Sequence, residues 1–199
     1  MQRTLLTLTA LGLIFSATVA EAGIYARVNA GAGKYSGLGN AKGLPAYSSR
    51  DKDDYYSYIG AEAGYTMSIP MLFSVKAGLD YTYRLPFEQK YTVVGGTVKD
   101  EYTLHTLMAK GTVDLNVIPF ISPYATAGAG YTWIDIDRST TGTATAGKVG
   151  SETEFTWMAG FGVNFNILGI VGANIGYRYT KMGDIMKAQE ITIGGGVSF

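Results

Sequence analysis

The chain has no cysteine and a single histidine, His105, among its 199 residues. The first absence excludes disulfides and thiolate metal sites, and the second leaves no histidine pair for a metal. A charge surplus is missing too: 16 basic residues stand against 16 acidic ones, so nothing points to a nucleic-acid partner. Proline is scarce, at 5 residues, and beyond residue 22 no apolar run is long enough for a transmembrane helix. Gly-rich phosphate loops and dinucleotide-binding patterns are also lacking, and no cofactor is expected. What the chain holds in quantity is glycine, 27 residues, and tyrosine, 15.

The N-terminus is the exception to the missing apolar runs. Arg3 precedes Leu5-Leu6-Thr7-Leu8-Thr9-Ala10-Leu11-Gly12-Leu13-Ile14-Phe15, and Ala20-Glu21-Ala22 has the small-x-small form of a signal-peptidase site. Residues 1–22 are therefore expected to be a secretory signal peptide, cleaved before Gly23. The apolar stretch is short for a retained span of about 20 residues, and no cysteine follows to carry a lipid anchor. Loss of Arg3 and Glu21 keeps the charges balanced. Residues 23–199 suit one domain.

That domain alternates with a period of two, the signature of strands with one apolar and one polar face. At the C-terminus Ile191, Ile193, Gly195, Val197 and Phe199 share one face, while Glu190, Thr192, Gly194, Gly196 and Ser198 share the other. Further strands are expected at about 24–33, 55–67, 71–85, 101–115, 123–135, 152–166 and 170–181, with a bulge near His105. Short turns at 68–70, 116–122 and 167–169 alternate with longer connections at 34–54, 86–100 and 136–151, and a shorter one at 182–187; 86–100 reads either as a loop or as a strand extension beyond the membrane. The even strand number and the alternation of short and long connections predict an all-β fold, an eight-stranded antiparallel up-and-down transmembrane β-barrel.

Two features favour a membrane barrel over a soluble one. Aromatic pairs lie on the apolar face near the long connections: Tyr81/Tyr83, Tyr131/Trp133, Phe155/Trp157 and Tyr177/Tyr179. Single aromatics, Tyr65, Phe73, Phe165 and Phe199, lie near the short turns. From Phe73 to Tyr83 a strand rises roughly 25 Å, at about 3.3 Å per residue and a tilt of about 40°, which spans an apolar band between two aromatic girdles. The second feature is charge on the opposite face: Arg27, Glu62, Lys76, Asp80, Arg84, Lys110, Asp114, Arg178 and Glu190. Eight strands leave room only for side chains inside, so these residues are expected to form a salt-bridged polar plug, with glycine where long side chains need space. A turn centred on Ile69 sets Glu62 across from Lys76, and Arg178 meets Glu190 at similar height.

Catalytic and metal chemistry finds little support. His105 in Leu104-His105-Thr106 is followed at the next position by Leu107, so the His-x-Ser arrangement of outer-membrane lipid A deacylases is missing. A strand histidine near the rim is the plainer reading. Asp51, Asp53 and Asp54 lack the spacing of a calcium loop, and read as a solvated connection. No amphipathic helix precedes the first strand, which argues against a palmitoyltransferase-type barrel.

With its signal peptide, eight alternating strands and the ending Ile191-Thr192-Ile193-Gly194-Gly195-Gly196-Val197-Ser198-Phe199, the chain resembles the small outer-membrane barrels, the group of the OmpA membrane domain, OmpX and the opacity-type surface proteins. The resemblance is architectural and covers residues 23–199, without a subfamily motif. It implies a bacterial outer-membrane location, with periplasmic termini and extracellular long loops. It implies lipid and lipopolysaccharide as neighbours, and reading of Ile191, Ile193, Val197 and Phe199 by the barrel-assembly machinery. No peptidoglycan-binding domain is expected after the barrel, so a cell-wall tether is not implied. The resulting expectation is a non-enzymatic barrel with a structural or adhesive role and an extracellular ligand bound through its loops. A narrow porin-like channel is the alternative, and a lipid-modifying enzyme using His105 comes third.

Overall fold

The backbone follows this alternation into a closed sheet. The computed structural model describes residues 21–36, 54–69, 72–93, 96–116, 120–142, 150–167, 170–184 and 186–199. Its strands are β1 Glu21–Ser36, β2 Asp54–Ile69, β3 Phe73–Val93, β4 Gly96–Leu115, β5 Ile121–Gly142, β6 Gly150–Asn166, β7 Val171–Met182 and β8 Met186–Ser198. Each pairs antiparallel with its sequence neighbour, and β8 returns to β1 to close the barrel. The seam runs from Tyr25↔Ser198 to Ser36↔Lys187. Its lower end, on the side of the short turns, is fixed by Ile24 and Phe199, which exchange backbone hydrogen bonds of 2.9 and 2.8 Å. Closure leaves no edge in the membrane-spanning part of the sheet, the condition for placing strands in hydrocarbon.

The two faces differ as a membrane barrel requires. Val28, Leu79, Phe161 and Ile193 point outward and are 67, 59, 64 and 57 % exposed, whereas Arg84 and Glu190 inside are 0 % exposed. A soluble protein buries the first set and solvates the second. An apolar exterior on every strand is stable only against lipid.

Several strands run further than their sequence pattern suggests. Of the two readings of 86–100, loop or strand extension, it is the extension that forms: β3 and β4 stay paired up to Val93↔Gly96. Residues 136–142 likewise continue β5 and pair with β4 as far as Gly142. The bulge lies on β3 between Arg84 and Phe87, not on β4 near His105. Pro86 is the cause, because it has no N–H for the ladder, and a bulge accommodates that loss. The expected signal peptide up to Ala20, and residues 37–53 of the first long connection, lie outside the described residues.

Inside, the upper end of the barrel is aromatic and apolar where a polar plug was expected throughout. Tyr35, Tyr56, Tyr58, Tyr102, Leu104, Ile134, Met182, Met186 and Ala188 form one buried cluster. Tyr35 and Tyr56 stack at 3.9 Å between ring centroids. Glycine makes this packing possible: a Cβ at Gly31 or Gly33 would come within 2.7 Å of the Tyr58 ring or 2.6 Å of the Tyr56 hydroxyl. On the outside the same level is polar, with Lys34, Ser57, Asp135, Lys181 and Gln189 outward. Polarity therefore inverts near the row Tyr83–His105–Trp133. Above that row the barrel obeys the rule of a water-soluble protein, and below it the rule of a membrane protein.

This inversion predicts a depth-dependent response to charge. Leu79→Arg, in the middle of the apolar band, should lower folding stability in lipid vesicles by about 2–4 kcal/mol, whereas Ser57→Arg, above the inversion, should cost about 0–1 kcal/mol. Urea titration of the vesicle-inserted proteins measures both, and equal losses would contradict the placement of the band.

Candidate functional site

The enclosed charges form a ladder along the barrel axis. Glu190 on β8 is its hub. It accepts hydrogen bonds from Arg84 Nε at 3.0 Å, Arg178 Nε at 2.5 Å, the Tyr56 hydroxyl at 2.5 Å and the Thr180 hydroxyl at 3.2 Å. Two guanidinium groups thus share one carboxylate, with Arg84 and Glu190 fully enclosed and Arg178 nearly so. Arg84 also donates to Thr106 at 2.6 Å and lies 6.0 Å from the Tyr56 ring centroid. Arg178 lies 4.7 Å over the Tyr58 ring and 3.7 Å from Asp80. Such ring contacts spread part of the cationic charge over a π-face.

The ladder descends from Asp80. Lys110 Nζ bridges Asp80 at 3.2 Å and Glu62 at 2.7 Å, and Tyr25 donates to Glu62 at 2.7 Å. Below this a second group joins Lys76 to Asp114 at 2.6 Å, Asn164 to Asp114 at 2.5 Å and Arg27 to Asn164 at 3.1 Å. Burial decreases downward: Glu190 and Arg84 side chains are fully enclosed, while Lys76 is 15 % exposed.

Arg178 and Glu190 face each other directly in the register. Glu62 and Lys76 do not. Glu62 stands opposite Asp80, and Lys76 opposite Thr66. The last β2–β3 pair, Ile69↔Phe73, centres the connection beyond Ile69 and slides β3 along β2. Like charges directly opposite repel, and Lys110 from the next strand neutralises the Glu62–Asp80 pair.

Sequence reasoning missed two elements of the site. One is a row of threonine hydroxyls, Thr106 to Thr132 at 2.8 Å and Thr132 to Thr156 at 2.7 Å, that continues the Arg84 contact across three strands. The other is the set of interior tyrosines that hydrogen-bond to carboxylates. Tyr25 and Tyr56 fall on the polar face in the alternation, so their inward direction was available, but their partners Glu62 and Glu190 lie 37 and 134 residues away in sequence.

The remaining candidates lie outside. Tyr81, Tyr131, Trp133, Phe155 and Trp157 are exposed, and Tyr83, Tyr177 and Tyr179 half-exposed, on the outer face at the upper margin of the apolar band. Ile191, Ile193 and Phe199 are exposed along β8, with Val197 partly covered. His105 also faces outward. Its Nδ1 is hydrogen-bonded to the Tyr81 hydroxyl at 2.7 Å and its ring packs 4.9 Å from that of Tyr83. The histidine is thus engaged by aromatic neighbours and no acid–nucleophile pair is formed with it among the described residues. Asp51 and Asp53 lie outside the described residues, and Asp54 opens β2.

A closed antiparallel barrel of eight strands, apolar outside and ion-paired within, defines the class of transmembrane β-barrels. The family model of the outer membrane protein beta-barrel domain matches residues 4–199, and the chain belongs to that family, whose place is the bacterial outer membrane. Among solved structures it is similar to Neisserial surface protein A, with 19 % identity and a TM-score of 0.60 over 90 % of this chain and 99 % of that one. It is also similar to Ail, the attachment invasion locus protein of Yersinia pestis, in complex with the heparin analogue sucrose octasulfate. There the identity is 15 % and the TM-score 0.53, over 90 % of this chain and 99 % of Ail. OprG from Pseudomonas aeruginosa matches with 13 % identity and a TM-score of 0.52, over 89 % of this chain and 96 % of OprG. At such identities the likeness is one of fold. No curated protein matches the sequence.

The hub sets an expectation for stability. Glu190→Gln leaves Arg84 without its carboxylate and Arg178 with only Asp80 at 3.7 Å, and should cost about 3–5 kcal/mol. Lys76→Gln, in the half-open lower group, should cost clearly less, since Asp114 keeps its bond to Asn164. Urea unfolding from vesicles ranks the two, and a reversed order would show that the enclosed hub is not the dominant contact.

Proposed function

We propose that residues 23–199 form a non-enzymatic scaffold of the outer membrane that holds a rigid sheet above the cell surface for contact with an extracellular partner. The termini face the periplasm and the long connections face outward. The observation that carries this reading is the continuation of β3, β4 and β5 above the polarity inversion. These strands remain paired up to Val93↔Gly96 and Gly96↔Gly142. β2 pairs with β3 only as far as Tyr58↔Arg84, and β6 with β5 only as far as Ile136↔Gly150. Among the described residues the upper parts of β3 and β5 therefore carry unpaired outer edges. An extended segment of a partner adds to such an edge through main-chain hydrogen bonds.

The interior supports a scaffold over a channel. Tyr58, Tyr102, Leu104, Met182 and Met186 are 2 % exposed or less, and they cap the ionic ladder from above. A path for solutes would have to break this packing. Most of the enclosed charged groups are spent on one another, although Nη2 of Arg84 and of Arg178 finds no hydrogen-bond partner among the described residues, and this network stiffens the wall that bears the sheet.

Ile191, Ile193, Val197 and Phe199 lie on the outward face of the closing strand, where an assembly factor reaches them before the seam forms. We assign them the role of an assembly signal on that basis. Phe199→Ala should slow insertion in cells several-fold while leaving refolding into detergent unchanged. Equal slowing in both settings would reduce the residue to a packing role.

Orientation and contact are tested together. In whole cells Ser139→Cys should react with a membrane-impermeant maleimide and Asn166→Cys should not. Replacing residues 89–100 by a two-residue Asn-Gly turn should lower adhesion of expressing cells to epithelial layers about tenfold while heat-modifiable migration is kept. Unchanged adhesion would remove the contact role. A steady planar-bilayer conductance that falls in Lys76→Gln and Glu62→Gln would favour the channel instead.

A further inference from the structure

We propose that the lower mouth of the barrel, at the end of the short turns, binds a small oxyanion, a phosphate or carboxylate group, through Arg27, Lys76, Asn166 and Ser198. The charge balance of the interior locates the site. In the upper ladder the cations Arg84, Arg178 and Lys110 meet an equal set of carboxylates, Glu190, Asp80 and Glu62. In the lower group Arg27 and Lys76 stand beside a single carboxylate, Asp114. Both of its oxygens are taken, Oδ1 by Asn164 and Oδ2 by Lys76. Arg27 is left with an amide: its Nη2 donates to Asn164 Oδ1 at 3.1 Å, and it has no carboxylate partner among the described residues. The surplus positive charge of the interior therefore sits on Arg27, at the open end.

Space for a counter-ion lies beside it. The inner row Arg27↔Gly196↔Gly172↔Asn166 crosses β1, β8, β7 and β6. Its two glycines leave the wall bare between an arginine and an asparagine. A cavity of about 60 Å³ opens there, lined by Arg27, Lys76, Asn166, Ser198 and both glycines. One water needs roughly 10–15 Å³, so the cavity has the size of an ion of four or five heavy atoms and is too small for a sugar or a nucleotide.

The side chains around it select an anion. A guanidinium, an ammonium, an amide and a hydroxyl all offer N–H or O–H groups, and the guanidinium fork matches an oxyanion with two parallel bonds. Pairing with an anion also removes the cost of a half-buried cation that lacks a counter-charge. A second observation lies one row higher, in Asn29↔Gly194↔Asn174↔Asn164. Asn174 is 5 % exposed and its Oδ1 has no hydrogen-bond partner. A buried acceptor of this kind is costly unless a donor reaches it, and water or a phosphate hydroxyl entering by the mouth supplies one. Which side of the membrane the short turns face does not enter, so the site stands apart from the surface role proposed above.

The test uses residues 23–199 folded in maltoside micelles, which carry no phosphate. Side-chain amide shifts of Asn164 and Asn166 are followed by NMR while inorganic phosphate or sodium acetate replaces chloride at constant ionic strength. At least one of the two oxyanions should shift these amides saturably, and the two titrations show whether phosphate or carboxylate is preferred. Arg27→Gln should raise the half-saturating concentration at least tenfold. Gly172→Val should do the same by filling the cavity, since the nearest atoms to a Cβ there are the Phe165 carbonyl oxygen at 3.3 Å and Asn166 Oδ1 at 3.8 Å. Lys187→Gln, on the outer face at the other end, should bind like wild type. Heat-modifiable migration checks that each variant is folded, so loss of the site is distinguished from loss of the barrel. The proposal is overturned if neither oxyanion gives a saturable shift, or if Arg27→Gln saturates at the wild-type concentration.

Discussion

In hydrocarbon a backbone N–H or C=O has no partner except another backbone group, and the seam between β1 and β8 is where this chain meets that condition. The twelve pairs from Tyr25↔Ser198 to Ser36↔Lys187 turn a sheet with two edges into a wall with none across the membrane-spanning part. Closure at eight strands then fixes the interior width, and the width dictates the content. A lumen this narrow holds side chains and little else. Long residues such as Tyr56 and Tyr58 fit only because Gly31 and Gly33 stand beside them. The seam depends in turn on the last residue of the chain, since Phe199 supplies both the carbonyl and the N–H that tie down Ile24.

The faces of the strands are legible in the sequence, and the fold class with them, because period-two alternation reports the solvent on each side. In β3 the run from Phe73 to Tyr83 separates wall from lumen without ambiguity. Register is less legible for a physical reason. Sliding a strand by an even number of residues leaves every side chain on its original face, so alternation cannot distinguish Glu62 opposite Lys76 from Glu62 opposite Asp80. Only the connection decides, and here it is centred beyond Ile69. The Arg178–Glu190 pair is legible because the β7–β8 connection is short. The bulge escaped for a different reason: Pro86 marks the break, but the misfit appears in the pattern of its partner strand, where Tyr102 and Leu104 turn inward.

Those inward apolar residues mark the change of solvent. Below the row Tyr83–His105–Trp133 the wall meets lipid, and the polar residues go inside. Above it the wall meets water, and the apolar ones do. A pattern search tuned to one rule reads the other as irregularity, which is why the upper part of β4 fits poorly, why 136–142 reads as a connection and why 86–100 reads either way. The inversion occurs on β1, β2, β4, β5, β7 and β8, so it is a property of level in the barrel rather than of one strand.

The position of the ionic hub follows from the same boundary. Glu190, Arg84 and Arg178 lie directly beneath the cluster of Tyr35, Tyr56, Tyr58, Tyr102 and Met186. That cluster withholds water from above, and the low dielectric it creates strengthens each ion pair and penalises any unpaired charge. Below, Lys76 and Arg27 are only partly covered, and their pairs are correspondingly exposed to screening. The interior is therefore graded, tightest where the strands leave the membrane and loosest at the end of the short turns. A wall clamped most firmly at its upper level suits a structure that carries β3, β4 and β5 beyond the bilayer, because bending of the protruding sheet is resisted at its root. The same grading is unsuited to conduction, in which an ion would have to traverse the most tightly paired layer and then the tyrosine cluster above it.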